Sequence, residues 1–324
     1  MNTSERARWL EARRTGIGGS DIAAILGLSP WKTALDVYLE KRGEVEDSVS
    51  DSDAVYWGNV LEAVVADEYA KRTGRKIQRI NQIIRHPEYD WAIGSIDRAI
   101  VADGTRARID RRTSRLLGAD GVLECKTTSA FARAQWGRDE DDEAIPLHYQ
   151  AQGMWYLAIT GLPWCDFAAL IGGQRFVIKR LMRDDEVIAQ IFERAEDFWH
   201  RHVLAGVPPE PANARDVERL FPVDDGESIE ADAELIAVYQ AAREAREAMR
   251  EAEAQYEAAC ERIKAALGPH STLTLDGKPI VTWRAPKPAR KTDWKALAAT
   301  LSPELIEQFT REIPGSRRFI LKDL

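Results

Sequence analysis

The sequence holds no apolar run near the roughly 20 residues that a membrane-crossing helix needs, which argues against a membrane protein. Its first residues, MNTSERARWLEARR, lack the apolar core of a secretory signal. Cysteine is scarce. Cys125, Cys165 and Cys260 are odd in number and far apart, fitting neither a disulfide framework nor a zinc site. These absences point to a cytosolic protein. An excess of positive charge is also missing. The formal net charge of −8 argues against a protein that coats nucleic acid at large, but not against an enzyme whose basic groups line one channel. There is no G-K-[ST] phosphate loop, and the glycine-rich turn Thr15-Gly-Ile-Gly-Gly-Ser-Asp21 lacks dinucleotide-binding spacing. No internal repeat is evident.

What is present suffices for a sizeable core: 324 residues, 44% of them hydrophobic, enough for one large domain or two modest ones. The chemistry concentrates in two short stretches. Trp91 to Ile100 (WAIGSIDRAI) and Gly121 to Thr127 (GVLECKT) read as strands, apolar and β-branched or alternating. Residues two apart on a strand share a face, so Glu124 and Lys126 point one way and Cys125 the other. Pairing of the strands would bring Asp97 to them. Two carboxylates and an ammonium then converge, a donor set suited to Mg²⁺ and to stabilising charge on a phosphoryl group. An E-x-K triplet alone is commonly just a same-face ion pair, so the rest of the chain must carry the argument.

Taken in order, the chain begins helically from Ser4 and enters the glycine turn, where Ser20 or Asp21 can cap the helix that follows. A helix spans Ala34 to Arg42, and Gly43 to Asp53 is an acidic loop. A longer helix runs from Val55 through Lys71, with Val60, Leu61, Val64, Val65 and Tyr69 as its apolar positions and Glu62 beside them. Strands Ile77 to Arg85 and Trp91 to Val101 form an antiparallel pair. The connector that follows holds Arg106, Arg108, Arg111, Arg112 and Arg115 after Arg98, either a solvated hairpin or a loop that tracks phosphates. Beyond Gly121 to Thr127 come an aromatic stretch (Phe131 to Trp136), a charged loop (Arg138 to Glu143), a helix (Leu147 to Thr160), a hairpin (Cys165 to Gly172 with Gln174 to Met182) and a helix (Asp184 to Ala205). Gln150 and Gln152, two apart, cannot share a face of the Leu147 helix.

Pro208-Pro-Glu-Pro211 acts as a linker or terminator. After it, Glu230 to Leu267 shows heptad spacing, with Leu235, Ala242, Met249, Tyr256 and Ile263 alternating with Val238, Ala245, Ala252, Ala259 and Ala266. A hairpin (Thr272 to Trp283, turning at Asp276-Gly277), one or two short helices (Asp293 to Glu312) and a last strand (Arg317 to Lys322) complete it. The domain expectation is a core over 1–210, a linker and long helix over 211–270, and a small region over 271–324.

Several motifs occur together in one order: W-x-x-x-R-x(6)-S at Trp9, Arg13 and Ser20; G-x-x-L-E at Gly58 to Glu62; G-x-x-D at Gly94 to Asp97; E-C-K; and Y-Q-x-Q at Tyr149 to Gln152. On these the chain resembles the PD-(D/E)XK nucleases, more narrowly the phage lambda exonuclease and YqaJ-like viral recombinase family, over about residues 5 to 210. The resemblance implies an α/β (α+β) fold with a mixed central sheet flanked by helices, and a helical and hairpin extension behind it. It implies Glu62, Asp97 and Glu124 as metal ligands and catalytic carboxylates, Lys126 as the catalytic lysine and Gln150 at the edge of the site. Arg13 and Ser20 would receive a terminal 5′-phosphate. The implied activity is Mg²⁺-dependent (Mn²⁺ substituting) 5′-to-3′ digestion of one strand of duplex DNA, leaving a 3′ overhang for a single-strand annealing protein. A homo-oligomer, a trimer by resemblance, and a phage or prophage origin in a host cytosol go with it. A structure-selective or nicking endonuclease on the same fold, and a non-catalytic DNA-binding scaffold, are the alternative readings.

Overall fold

The computed structural model describes residues 11–45, 52–110, 112–138, 144–288, 290–312, 315 and 317–322. Trp9, the helical start at Ser4, Arg111 and most of the charge run from Arg138 to Glu143 lie outside the described residues. The described residues divide into two compact units, Met1–Val217 and Glu218–Leu324.

In the first unit, helices α1 (Gly19–Ile25), α2 (Ala34–Arg42) and α3 (Asp53–Thr73) precede strand β1 (Lys76–Gln78). Local chemistry sets their ends. Thr33 accepts the Asp36 N–H while the Asp36 carboxylate accepts that of Thr33, and Gly43 stops α2 at φ 72°. Ser52 caps α3, and Gly74 stops it at φ 68°. Then follow β2 (Ile84–Arg85), β3 (Ile93–Gly94), β4 (Arg98–Val101), β5 (Arg108–Ile109), β6 (Leu116–Leu117) and β7 (Gly121–Thr128). A 3₁₀ turn (Ala130–Trp136) leads toward α4 (Leu147–Thr160), β8 (Trp164–Ile171), β9 (Arg175–Met182) and α5 (Asp185–Asp197).

The sheet runs in the order β1-β4-β7-β8-β9. Its pairings are antiparallel except β7 with β8, which are parallel, so the sheet is mixed, as the sequence leads one to expect. A parallel pair needs a long crossover, and the segment carrying α4 supplies it. On one face Val65, Ala66 and Tyr69 of α3 close over Ile100, Leu123 and Ala168, with Cys125 at the edge of that core. The period of two therefore turns Glu124 and Lys126 to the opposite face, where α4 lies.

The two long strands of the sequence reading are each broken. Lys76–Gln78 pairs with Ala99–Val101, while Ile84–Arg85 pairs with Ile93–Gly94 in a separate ribbon. Ser95 to Asp97 belong to neither ladder. The reason is packing: Gly94 sits on the Tyr156 ring, and an added Cβ would meet it at 3.2 Å. On α3, Val60 and Val64 are 45% and 56% exposed rather than buried, and Val65, Ala66 and Tyr69 alone carry the core face. The arginine-rich connector is a small hairpin, β5 with β6, whose Arg108, Arg112 and Arg115 are exposed. Past α5 the helix widens into π turns from Phe198 to Leu204. The chain beyond the prolines is fastened to α2, where Asp216 accepts from Thr33 Oγ1 at 3.1 Å and Arg215 pairs with Asp36 at 2.9 Å.

The second unit holds α7 (Ala233–Leu267), which follows a short α6 (Ala214–Leu220) at the boundary. Then come the hairpin β10 (Thr272–Leu275) and β11 (Lys278–Thr282) and two short helices, α8 (Trp294–Ala298) and α9 (Pro303–Phe309). The hairpin turns at Asp276 and Gly277, both at positive φ, as its dipeptide implies. Arg317 to Lys322 is not a strand. It lies along α7 instead, its carbonyls at Leu321 and Lys322 accepting from Arg246 and the Tyr239 hydroxyl.

Candidate active site

Three anchors fix the ground around β7. The indole N–H of Trp155 on α4 donates to the Ile93 carbonyl at 2.9 Å, and its ring stacks on Phe192 of α5. Ile17 bridges to the β3 approach, its N–H reaching the Trp91 carbonyl at 2.7 Å while its own carbonyl accepts from Ile93. Gly16 permits this close approach, because a Cβ there would stand 2.3 Å from the Trp91 oxygen. Asp97, last residue before β4, then accepts the Cys125 N–H through Oδ2 at 2.8 Å, so a side chain takes the place of a ladder bond at the end of the strand pair.

The centre is Glu124, only 3% exposed. Its Oε1 receives the Lys126 ammonium at 2.7 Å and the Gln152 amide at 2.9 Å. Its Oε2 is buried and has no hydrogen-bond partner. Lys126 also donates to Gln152 Oε1 at 3.0 Å, and its ammonium lies 4.8 Å from the centre of the Tyr149 ring. The Gln152 amide reaches on to the Tyr156 hydroxyl at 3.0 Å. Burial and then the neighbouring Glu124 charge push the Asp97 carboxyl up to about 8, against the pull of Lys126 and the Cys125 N–H. Burial likewise raises Glu124, in spite of Lys126. For Lys126 burial works downward, yet the Glu124 and Asp97 carboxylates outweigh it and hold the ammonium above its ordinary range. Lys126 is therefore a standing positive charge and hydrogen-bond donor, unsuited to act as a base near neutral pH.

Such a site has excess negative potential and an orphaned buried oxygen. All its donors are carboxylate oxygens, which suit a hard divalent cation. Glu62 approaches differently. Arg98 pairs with Leu123 across the ladder and so faces the α3 layer, where its guanidinium meets Glu62 Oε1 at 2.6 Å. Glu62 is close enough for its charge to raise both other carboxyls. Among the described residues, however, no three His, Cys, Asp or Glu side chains form a ready metal cluster.

A second cluster adjoins the glycine turn. The Arg13 guanidinium donates to Ser20 Oγ at 2.9 Å and stands 3.7 Å from Asp21 Oδ1. Asp21, wholly buried, takes Lys41 at 2.6 Å and the Gly18 N–H at 2.9 Å on its other oxygen. Tyr156 joins the two clusters, since Gly19 lies against its ring so tightly that a Cβ would come within 2.5 Å.

The structure thus brings Asp97, Glu124 and Lys126 together, sets Arg13 on Ser20, and holds Glu62 through Arg98. Gln150 is turned elsewhere, its amide donating to the Ile145 carbonyl at 2.7 Å. Gln152 is the glutamine in the site. Sequence reasoning had both glutamines on the helix but no means of choosing its phase. It missed Asp21 and Lys41 as the base beneath Arg13; an acidic residue after a glycine turn signals only a cap.

Residues 8–163 match the YqaJ-like viral recombinase domain, a span containing each residue of both clusters. The chain is 43% identical over 206 residues to the uncharacterized protein YqaJ of Bacillus subtilis (strain 168), covering 63% of this chain and 58% of that protein. It is 37% identical over 59 residues to protein D345L of African swine fever virus, 18% of this chain and 17% of that one. The chain thus spans little more than half the length of the bacterial relative. Among solved structures, the alkaline exonuclease of Laribacter hongkongensis superposes with a TM-score of 0.45 at 18% identity, covering 61% of this chain and 93% of that one. A phage-related exonuclease from Haemophilus somnus gives 0.40 at 13%, covering 59% and 94%.

Proposed function

We propose that this chain, which carries a YqaJ-like viral recombinase domain over residues 8–163, is a metal-dependent deoxyribonuclease that digests one strand of linear duplex DNA from its 5′ end. One observation carries the reading: the buried Glu124, with one oxygen held by Lys126 and Gln152 and the other unpartnered, beside an Asp97 that burial and charge keep from ionising alone. Asp97 and Glu124 would hold the Mg²⁺, with Mn²⁺ able to replace it, and Glu62 would complete the set on leaving Arg98. When bound, the ion supplies Lewis acidity toward the phosphoryl group. Lys126 donates to the developing phosphoryl charge, and Glu124 and Gln152 hold its ammonium in place. Tyr149 shields that ammonium on one side. Arg13 and Ser20 take the terminal 5′-phosphate, an end contact of no use to an enzyme that cuts internally. The product is a 3′ overhang, the substrate of a single-strand annealing protein.

The test is a gel assay with Mg²⁺ on linear duplex bearing 5′-phosphate or 5′-hydroxyl ends, beside a closed circle. Labelled ends report the polarity. Loss of label from 5′ ends, with the circle intact and EDTA abolishing the reaction, is the expected result. Cutting of the circle would replace this reading with the endonuclease one, and intact DNA throughout would favour the scaffold.

A further inference from the structure

The long helix α7 offers an interface that the nuclease reading does not use. Its heptad seam is open along most of its length: Leu235, Val238, Met249 and Tyr256 are large and exposed, Met249 at 72% and Tyr256 at 70%, and Ala242, Ala245, Ala252 and Ala259 between them are exposed as well. Only Ile263 near the end is half covered. A 35-residue helix with such a seam buries it best against another helix of matching period.

We propose that the occupant is α7 of a second copy of this chain, laid antiparallel, with the two-fold axis passing between Arg250 and Glu251. In an antiparallel pair the two seam rows face each other, and this register sets large against small. Leu235 meets Ala266 of the second copy, Met249 meets Ala252, Tyr256 meets Ala245, Ala242 meets Ala259, and Ile263 meets Val238, each layer occurring twice. Alternating large and small across the seam lets the layers interdigitate without voids or overpacking. A parallel pair would do the opposite, stacking Met249 on Met249 and Tyr256 on Tyr256 while four alanine layers face each other across gaps.

Charge selects the same register. Arg246 and Glu253 occupy the flanking positions beside the seam, and in this register Arg246 of each copy faces Glu253 of the other. Sliding by one heptad in either direction sets Arg246 against Arg246, or Glu253 against Glu253. In the parallel arrangement the cross-helix neighbours of Arg246 and Glu253 are Ala241 and Ala248, so neither finds a partner. The Arg246 guanidinium donates to the Leu321 carbonyl at 2.7 Å, which pins it at the edge of the seam and leaves other N–H groups of its fork for a carboxylate. The inference concerns the second unit alone and stands whether or not the nuclease reading does.

Two measurements on the full-length chain test it. Sedimentation equilibrium should give an assembly of even order, twice 36.4 kDa in its simplest form. Glu253→Arg, which confronts Arg246 with like charge twice per pair, should weaken the association roughly tenfold. The exchange Arg246→Glu with Glu253→Arg should restore it. For direction, in a Cys260→Ser background, Leu235→Cys and Ala266→Cys chains made together should join as a covalent dimer on mild oxidation. Leu235→Cys alone should not, because the two copies of that position lie roughly 45 Å apart. A monomer at all accessible concentrations, a trimer indifferent to Glu253→Arg, no rescue by the exchange, or self-crosslinking of Leu235→Cys would each overturn the proposal.

Discussion

Asp21 illustrates how much one buried group can decide. Its carboxylate receives Lys41, the Gly18 N–H and the reach of Arg13 with no exposure to water, and Lys41 is itself buried. Burial would raise the carboxyl, but Lys41, then Arg13 and Lys32, overrule it and hold the group well below the ordinary carboxylate range. A depressed folded value means that the stabilisation is complete above the unfolded carboxyl range and is lost as the pH falls through and below it. Asp21→Asn should therefore cost about 3 to 5 kcal/mol in urea unfolding at pH 7, by leaving Lys41 charged and unpaired. The gap between variant and parent should shrink below roughly pH 4. A variant as stable as the parent at pH 7 would show that this pair contributes nothing. Glu124 and Lys126 make different demands on the reaction. Mg²⁺ or Mn²⁺ at about 100 times its dissociation constant should stabilise the parent by about 2.7 kcal/mol, seen as a raised melting temperature. Glu124→Gln should lose both that shift and turnover. Lys126→Ala should keep the shift while turnover falls by about 10²- to 10³-fold. Loss of the metal-induced shift in Lys126→Ala would instead mean that the lysine organises the carboxylates rather than acting on the phosphoryl charge. The pairing of Glu124 with Lys126 was legible in the sequence because a strand's period is two and admits no ambiguity. The buried pair under Arg13 was not, since it joins residues twenty apart that only the packing of α1 on α2 brings together.

At the scale of elements, the phase of α4 decides which glutamine serves the site. Adjacent glutamines on a helix differ by about 200° for a spacing of two, so a shift of half a turn exchanges them. The phase is set by Trp155, which is hydrogen-bonded to Ile93 and stacked on Phe192, and by Gly153, where a Cβ would press into Leu181 and Phe167. No single-sequence pattern states it, for nearly every residue from Ala151 to Thr160 is buried and the amphipathic signal is gone. Gln152→Ala should lower kcat by about 10-fold or more by releasing Lys126 and Glu124, and Gln150→Ala should leave kcat near the parent value and act on stability through the Ile145 loop. Steady-state kinetics on linear duplex separates the two, and a larger kcat defect in Gln150→Ala would reverse the assignment. The broken strands have a similar cause. Trp91 to Val101 has the composition of one strand, but Gly94 must lie on Tyr156 and Asp97 must turn into the Cys125 N–H, so the ladder stops between them. The tertiary contacts that define the site are the ones that interrupt the local pattern.

For the molecule as a whole, the question is where it divides. Every residue of both clusters, from Arg13 to Tyr156, falls within Met1–Val217. The sequence marks a break at Pro208-Pro-Glu-Pro211, because prolines end helices and stiffen linkers, yet the chain after them is still tied down. Tyr38 donates to the Gly206 carbonyl, Thr33 to Asp216, and Arg215 pairs with Asp36. Such long-range polar contacts leave no periodic trace and could not have been read in advance. From Phe221 to Asp232, by contrast, every residue is exposed and none is helical or in a strand. Backbone without buried side chains or ladder bonds opens at little cost, and a protease finds it first. A glutamate-specific protease at low ratio should accordingly cut at Glu227 or Glu230 before it cuts inside either unit, although Glu186, Glu193 and Glu196 on α5 offer three sites close by in sequence. Mass spectrometry of the first fragments identifies the bond. The N-terminal fragment, carrying the complete set of Asp97, Glu124, Lys126 and Gln152, should keep the melting-temperature rise with Mn²⁺ if those residues are what grips the ion. Early cleavage within α5, or a fragment that has lost the metal response while keeping its fold, would place part of the site's support beyond Val217.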